Sequence, residues 1–121
     1  MSQLILIVDD NENNRKLARD VLEFAGFETV EATGGVEAVA LTIEHLPALV
    51  LMDIRMPDMN GTEALKLLRE DSRTAEIPIV ALTSSTMRGD EQRFLAEGFD
   101  GYLAKPISVR EFPGQVLGYC G

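Results

Sequence analysis

Acidic side chains directly follow two of the apolar runs in this sequence. Asp9 and Asp10 come after the run Leu4–Val8, and Asp53 comes after the run that begins at Leu49. Three carboxylates held close together repel one another unless a cation joins them, and oxygen ligands without His or Cys favour Mg²⁺. These residues therefore predict a magnesium site, provided that the fold brings the two runs side by side.

A hydroxyl and an ammonium group follow two further runs in the same way. Thr83 follows the apolar run at residues 77–82, and Lys105 follows a short run that begins at Gly101. Taken singly, a polar residue after a strand is more often a helix cap or a solvated charge. The joint placement of the three acids, Thr83 and Lys105 is what predicts a functional site.

The apolar runs themselves predict strands. Because they are apolar at every residue and do not alternate, they are typical of strands covered on both faces. We expect strands at Leu4–Val8, 49–52 and 77–82, with weaker candidates at 27–30 and 101–103.

Helical periodicity fills the segments between the strands. Four stripes are expected to face the core: Leu17, Val21, Phe24 and Ala25; Val36, Val39, Ala40 and Ile43; Ala64, Leu65 and Leu68, preceded by Thr62 as the N-cap; and Phe94 with Leu95. Alternating strands and helices predict an α/β fold with a parallel sheet, right-handed crossovers and helices on both faces. The carboxyl ends of the strands, which carry the polar residues, then lie at one edge of the sheet.

The last helix is harder to place. Ser108 is a candidate N-cap, but Pro113 and Gly114 fall where the middle of that helix would be. An interior Pro costs about 3 kcal/mol and an interior Gly about 1 kcal/mol. We therefore expect this helix to be short, kinked or displaced.

The whole chain limits the possible functions. Its 121 residues contain no linker or repeat, so we expect a single domain over residues 1–121 without an output domain. A net charge of −9 repels phosphate backbones and anionic lipids, so neither nucleic acid nor membrane is an expected partner. The N-terminus lacks secretory-signal features, which favours a cytoplasmic location. No nucleotide-binding glycine motif and no G-x-S-x-G hydrolase motif is found.

Four motifs carry a resemblance to a known family. They are LILIVDDN at 4–11, LMDIRMPDMNG at 51–61, ALT at 81–83 and Lys105-Pro106. With this order and spacing, the chain resembles the receiver domains of two-component response regulators, and most of all the stand-alone, DivK-like ones. The resemblance implies a three-layer, doubly wound, flavodoxin-like (βα)5 fold with a parallel five-stranded sheet of order 2-1-3-4-5.

The resemblance also implies the chemistry of the site. Asp53 would accept a phosphoryl group from a histidine kinase or histidine phosphotransfer protein, and the domain would catalyse only its own phosphorylation and dephosphorylation. Mg²⁺ would be held by Asp53, by Asp10 directly, by Asp9 mainly through water and by the backbone carbonyl of Arg55. Lys105 would pair with a phosphoryl oxygen.

Further implied roles concern the response to phosphorylation. Thr83 would donate its hydroxyl to the phosphoryl group, and Tyr102 would then turn inward as a switch for a downstream regulatory protein. Such a domain would act as a monomer or weak dimer. The Lys105–Pro106 bond would be cis, and Pro57 would shape the loop after Asp53. Gly61 would either supply a positive φ angle there or be an ordinary turn glycine.

Three alternatives stay open on the sequence. The chain could be a constitutive interaction domain that uses the fold without phosphorylation. It could be a small-molecule phosphatase with Asp53 as a transient nucleophile. It could also be a receiver cut from a hybrid kinase, although Met1 close before the first strand favours a natural start.

Overall fold

One parallel sheet organises the part of the chain that the computed structural model describes, residues 3–54, 56, 58–83, 90–105 and 107–120. Within these residues, five strands in the order β2-β1-β3-β4-β5 alternate with five helices. The elements are β1 Leu4–Val8, α1 Glu12–Phe24, β2 Glu28–Ala32, α2 Gly35–His45, β3 Leu49–Asp53, α3 Gly61–Glu70, β4 Ile79–Thr83, α4 Asp90–Glu97, β5 Gly101–Ala104 and α5 Phe112–Tyr119. The predicted flavodoxin-like fold and sheet order are confirmed.

Two apolar clusters fill the spaces above and below the sheet. Because alternate strand residues point to opposite faces, Leu6 and Val8 belong to one cluster, while Ile5 and Ile7 belong to the other. Helices α2, α3 and α4 contribute to the first cluster, and α1 and α5 contribute to the second. The central strands β3 and β4 are buried along their whole length, as the unbroken apolar runs predicted.

The predicted core faces of α1 and α2 are partly wrong, although Val21 and Val39 pack against the apolar clusters as expected. In α1 the buried residues are Ala18 and Leu22, whereas Phe24 is 96% exposed and Leu17 is 41% exposed. In α2 Val36 is likewise exposed, and the buried residues are Gly35, Ala38 and Thr42. Small buried residues such as Ala18 and Ala38 let these helices lie close to the sheet, whereas Phe24 and Val36 are left exposed.

The other two stripes are closer to the prediction. Ala64, Leu65 and Leu68 of α3 are buried as expected. The N-cap of α3 is Asn60 instead of Thr62, because the Asn60 side-chain oxygen accepts a hydrogen bond from the backbone N–H of Glu63 at 2.9 Å. In α4 Phe94 is fully buried, but Leu95 is not.

Helix α5 is short and displaced toward the C-terminus, as expected. It begins at Phe112, which places Pro113 in the first turn, where a missing N–H costs nothing. Ser108 does not cap it directly. Its hydroxyl oxygen accepts a hydrogen bond from the N–H of Glu111 at 3.3 Å and closes a turn ahead of the helix. Among the described helices, none combines the length and apolar character needed to cross a bilayer.

Candidate functional site

Three neighbouring strands end together at one edge of the sheet. Asp9 follows β1 directly, Asp53 is the last residue of β3, and Thr83 is the last residue of β4. The register of the parallel pairs places Val8 beside Met52 and Asp53 beside Leu82. The two acids therefore project from adjacent strands at nearly the same height.

The carboxylates of Asp9, Asp10 and Asp53, called here the acid cluster, can each offer an oxygen within 4.8 Å of the other two. Asp9 and Asp53 are buried, whereas Asp10 is exposed to solvent. A set of carboxylate oxygens that is open to solvent on one side suits a hard divalent cation that keeps some of its water ligands. Protein-bound Mg²⁺ usually does so. These residues therefore fit the predicted magnesium site.

Lys105 supplies the positive charge that the cluster needs. Its Nζ lies 2.7 Å from Oδ2 of Asp9 and 3.4 Å from Oδ1 of Asp53. The backbone N–H of Lys105 donates to the carbonyl oxygen of Thr83 at 2.8 Å, which fixes the start of the side chain at the end of β4. One ammonium among three carboxylates leaves an excess of negative charge that a divalent cation would balance.

Asp9 is held in place by contacts that the sequence did not reveal. Its Oδ1 accepts a hydrogen bond from the N–H of Asn11 at 2.9 Å, and its backbone carbonyl accepts one from Arg15 Nη1 at 2.8 Å. Arg15 is fixed in turn by Glu31, whose carboxylate lies 3.3 Å from Arg15 Nε. The available signal was the position of Arg15 in the first turns of α1, which brings its side chain back over the end of β1.

The site is a shallow cleft of about 290 Å³. It is lined by Asp9, Asp10, Asn11, Asn14, Asp53, Ile54, Thr83 and Lys105. The structure thus brings together five of the residues predicted to form the site. Arg55, Pro57 and Pro106 lie outside the described residues, and the cis Lys105–Pro106 bond stays a prediction.

Tyr102 does not line the cleft, but it lies on the same face of the sheet as Thr83. Strand register pairs Ala81 with Tyr102, so the side chains of Thr83 and Tyr102 fall on the same side of the sheet. Tyr102 is partly buried against the first apolar cluster, and its ring centroid is 6.4 Å from that of Phe94 in α4. Tyr102 therefore joins the face of the sheet that carries Thr83 to helix α4.

Gly61 is required for space and not for its backbone angle. The prediction of a positive φ angle at Gly61 is wrong, since the described glycines with positive φ are Gly26 and Gly98. A Cβ atom at Gly61 would lie 2.8 Å from the carbonyl oxygen of Asp53 and 3.1 Å from Cα of Ile54. The N–H of Gly61 also donates to the carbonyl of Ile54 at 2.9 Å, so the loop after Asp53 closes tightly on itself.

Comparisons with known proteins agree with this geometry. Residues 5–116 match the family model described as the response regulator receiver domain. The chain is 43% identical over 121 residues to the polar-differentiation response regulator DivK of Brucella ovis, covering 100% of this chain and 98% of the relative. Chemotaxis protein CheY4 of Vibrio cholerae superposes with a TM-score of 0.91 at 29% identity, covering 98% of this chain and 99% of CheY4.

A third relative contains a metal ion. The receiver domain of the sensor histidine kinase PA1611 from Pseudomonas aeruginosa has a TM-score of 0.90 at 30% identity, and the match covers 100% of this chain and 99% of that domain. Its structure holds a magnesium ion coordinated in the active-site cleft.

Proposed function

The chain belongs to the response regulator receiver domain family, which carries two-component phosphorelay signals, and we propose that Asp53 is its phosphoacceptor. In the transfer, a carboxylate oxygen of Asp53 forms a bond to phosphorus as the phosphorus–nitrogen bond of a donor phosphohistidine breaks. The observation that carries this proposal is the position of the Asp53 carboxylate between two further acids and the Lys105 ammonium.

Mg²⁺ is the proposed cofactor, held by Asp9, Asp10 and Asp53 together with the backbone carbonyl of Arg55. The oxygen ligands of the acid cluster and the magnesium ion in the PA1611 receiver domain support this choice. Bound there, the ion would neutralise carboxylate charge that otherwise repels an incoming phosphoryl group.

Lys105 and Thr83 are proposed to hold the phosphoryl group after transfer. Lys105 already lies 3.4 Å from Asp53, so its ammonium can offset part of the charge that develops on the phosphoryl oxygens. Thr83 lines the same cleft, and its hydroxyl can donate a hydrogen bond to a second oxygen. A carboxylate is a weak nucleophile, so charge neutralisation and positioning account for most of the catalysis.

The signal is proposed to leave the site through Thr83 and Tyr102. Phosphorylation adds roughly two negative charges and strong acceptor oxygens beside Thr83. Movement of Thr83 toward them would free space on the face of the sheet where Tyr102 packs near Phe94. Rotation of Tyr102 would then change the surface of α4 and β5 that a partner contacts.

The proposed partners are a histidine kinase or histidine phosphotransfer protein upstream and a regulatory protein downstream. A DivK-like mode of action is supported by the 43% identity to DivK over 121 residues. We expect a monomer or weak dimer in the cytoplasm that catalyses only its own phosphorylation and dephosphorylation. With a net charge of −9, we expect protein partners and not nucleic acid or membrane.

The test is incubation with acetyl phosphate and Mg²⁺, followed by mass spectrometry of the intact protein. The wild type should gain one phosphate, and neither Asp53→Asn nor wild type in EDTA should gain any. A wild type that gains no phosphate under these conditions refutes the assignment of Asp53. If a captured partner binds wild type and Asp53→Asn equally with and without acetyl phosphate, the domain is a constitutive interaction module instead.

A further inference from the structure

The loop between β3 and α3 is tied to the start of helix α2 by one carboxylate. Asp58 Oδ1 accepts a hydrogen bond from the N–H of Gly35 at 3.0 Å, and Oδ2 accepts one from the N–H of Val36 at 3.1 Å. Both donors belong to the first turn of α2, where N–H groups have no partner within the helix. The N-cap residue, Gly34, makes no side-chain hydrogen bond of its own.

The residues around this contact are shaped to accommodate it. A Cβ atom at Gly34 would lie 2.6 Å from Oδ1 of Asp58, and one at Gly35 would lie 2.8 Å from Cβ of Met59. The φ angle of Gly34 is −166°, extended backbone that any residue adopts, so its lack of a side chain serves the approach of Asp58. The hydrogen bonds from Val36 and Gly35 lower the pKa of Asp58, which keeps its carboxylate charged.

The loop that Asp58 anchors begins at Asp53. At its base, the Gly61–Ile54 hydrogen bond closes the loop. At its outer part, the Asp58 contact holds the chain against α2, an element that does not otherwise belong to the site. Fixed points at Ile54 and Asp58 reduce the conformational freedom that a ligand would otherwise have to remove on binding, which strengthens binding.

We propose that Asp58 is a positioning residue, which holds the loop after Asp53 in the conformation that binds Mg²⁺ and accepts the phosphoryl group. This inference rests on the proposed function, because the loop contains the backbone carbonyl assigned to the metal. Asp58 is not among the described residues that line the cleft of the acid cluster, so it would act through the loop.

The test compares Mg²⁺ dissociation constants by isothermal titration calorimetry at neutral pH. Asp58→Ala should weaken Mg²⁺ binding by roughly fivefold, the scale of losing one helix cap. Asp58→Asn should be intermediate, because a carboxamide oxygen can accept one of the two hydrogen bonds. The rate of phosphorylation by acetyl phosphate at subsaturating Mg²⁺ should fall in the same order.

Two further variants separate positioning from simple stability. Glu37→Ala removes the hydrogen bond that Glu37 Oε1 accepts from the N–H of Thr33 at 2.8 Å, also at the start of α2 but with no contact to the loop. It should lower the melting temperature and leave Mg²⁺ affinity unchanged. The double variant Gly34→Asn with Asp58→Ala places a new N-cap in the space that Asp58 vacates, so it should recover the melting temperature but not the Mg²⁺ affinity.

The outcomes are distinct. If the double variant recovers wild-type Mg²⁺ affinity, or if Asp58→Ala binds Mg²⁺ as tightly as wild type, Asp58 only caps α2 and the inference is overturned. If wild type neither binds Mg²⁺ nor accepts a phosphoryl group, the proposed function fails before the comparison of variants begins.

Discussion

Replacing Asp53 by Asn is predicted to stabilise the protein when Mg²⁺ is absent. One carboxylate oxygen from each residue of the acid cluster lies within 4.8 Å of one from each of the others, so each pair repels by about 3.5 kcal/mol at an effective dielectric constant of about 20. The variant loses two such pairs, about 7 kcal/mol of repulsion. It also loses the attraction to Lys105 Nζ at 3.4 Å, which the same relation puts at about 5 kcal/mol.

The difference favours the variant by about 2 kcal/mol, which raises the melting temperature by about 8 °C for a chain of this length. Thermal unfolding in EDTA, monitored by circular dichroism, measures this difference in melting temperature. Added Mg²⁺ should stabilise wild type more than the variant, because wild type keeps all three carboxylates. If Mg²⁺ binds wild type alone, the two melting temperatures should become equal at an Mg²⁺ concentration of about 30 times the dissociation constant of Mg²⁺ from wild type.

Asp71→Asn is the matched control, because Asp71 pairs with Arg73 away from the site. Added Mg²⁺ should raise the melting temperature of Asp71→Asn by the same amount as that of wild type. If Asp53→Asn is less stable than wild type in EDTA, the attraction of Lys105 outweighs the repulsion among the acids, and the charge argument is wrong.

Two other substitutions, and the pH dependence of the Asp71→Asn control, test separate parts of the reasoning. Lys105→Met should lower the unfolding free energy in EDTA by about 3 kcal/mol, because it leaves the buried carboxylate of Asp9 without the Lys105 ammonium. Urea unfolding measures this loss, and added Mg²⁺ should restore part of it. Gly61→Ala should slow phosphorylation by acetyl phosphate by roughly tenfold or more, because the new Cβ displaces the loop next to Asp53; phosphate-affinity gels measure the rate. Hydrogen bonding to Arg73 lowers the pKa of Asp71 to about 2. The stabilisation that Asp71 contributes is therefore present above about pH 4 and is lost as the pH falls toward 2. Urea unfolding at several pH values should show that the unfolding free energy of Asp71→Asn changes less with pH in that window than that of wild type.

The sheet and the acid cluster could be predicted because their signals are local. An unbroken apolar run identifies a buried parallel strand, and the residue after it must lie at the carboxyl edge. Asp9, Asp53 and Thr83 were placed correctly by this reasoning alone. Family resemblance was needed for the sheet order that puts β1 beside β3 and for the phosphoacceptor role of Asp53, because a strand-end acid has the same local pattern whether it caps a helix or binds a metal.

Features that depend on contacts between distant segments could not be predicted. A helical period of 3.6 fits two adjacent registers, and the choice of Ala18 over Leu17 in α1 depends on how closely the helix approaches the sheet. The contact between Asp58 and the start of α2 joins residues 22 and 23 positions apart. Gly61 was singled out correctly, but the crowding by Asp53 that explains it exists only in the folded chain.

The short last helix has a consequence for local opening of the chain. Helix α5 has eight residues and is anchored to the core by the buried side chains of Phe112 and Val116. A helix of this length has little stability of its own, so these two side chains, with Tyr119 packed against the same cluster, set the free energy of its detachment. Its amide hydrogens should exchange with solvent well before those of α3, and a protein that docks on α5 would reveal itself by slowing that exchange.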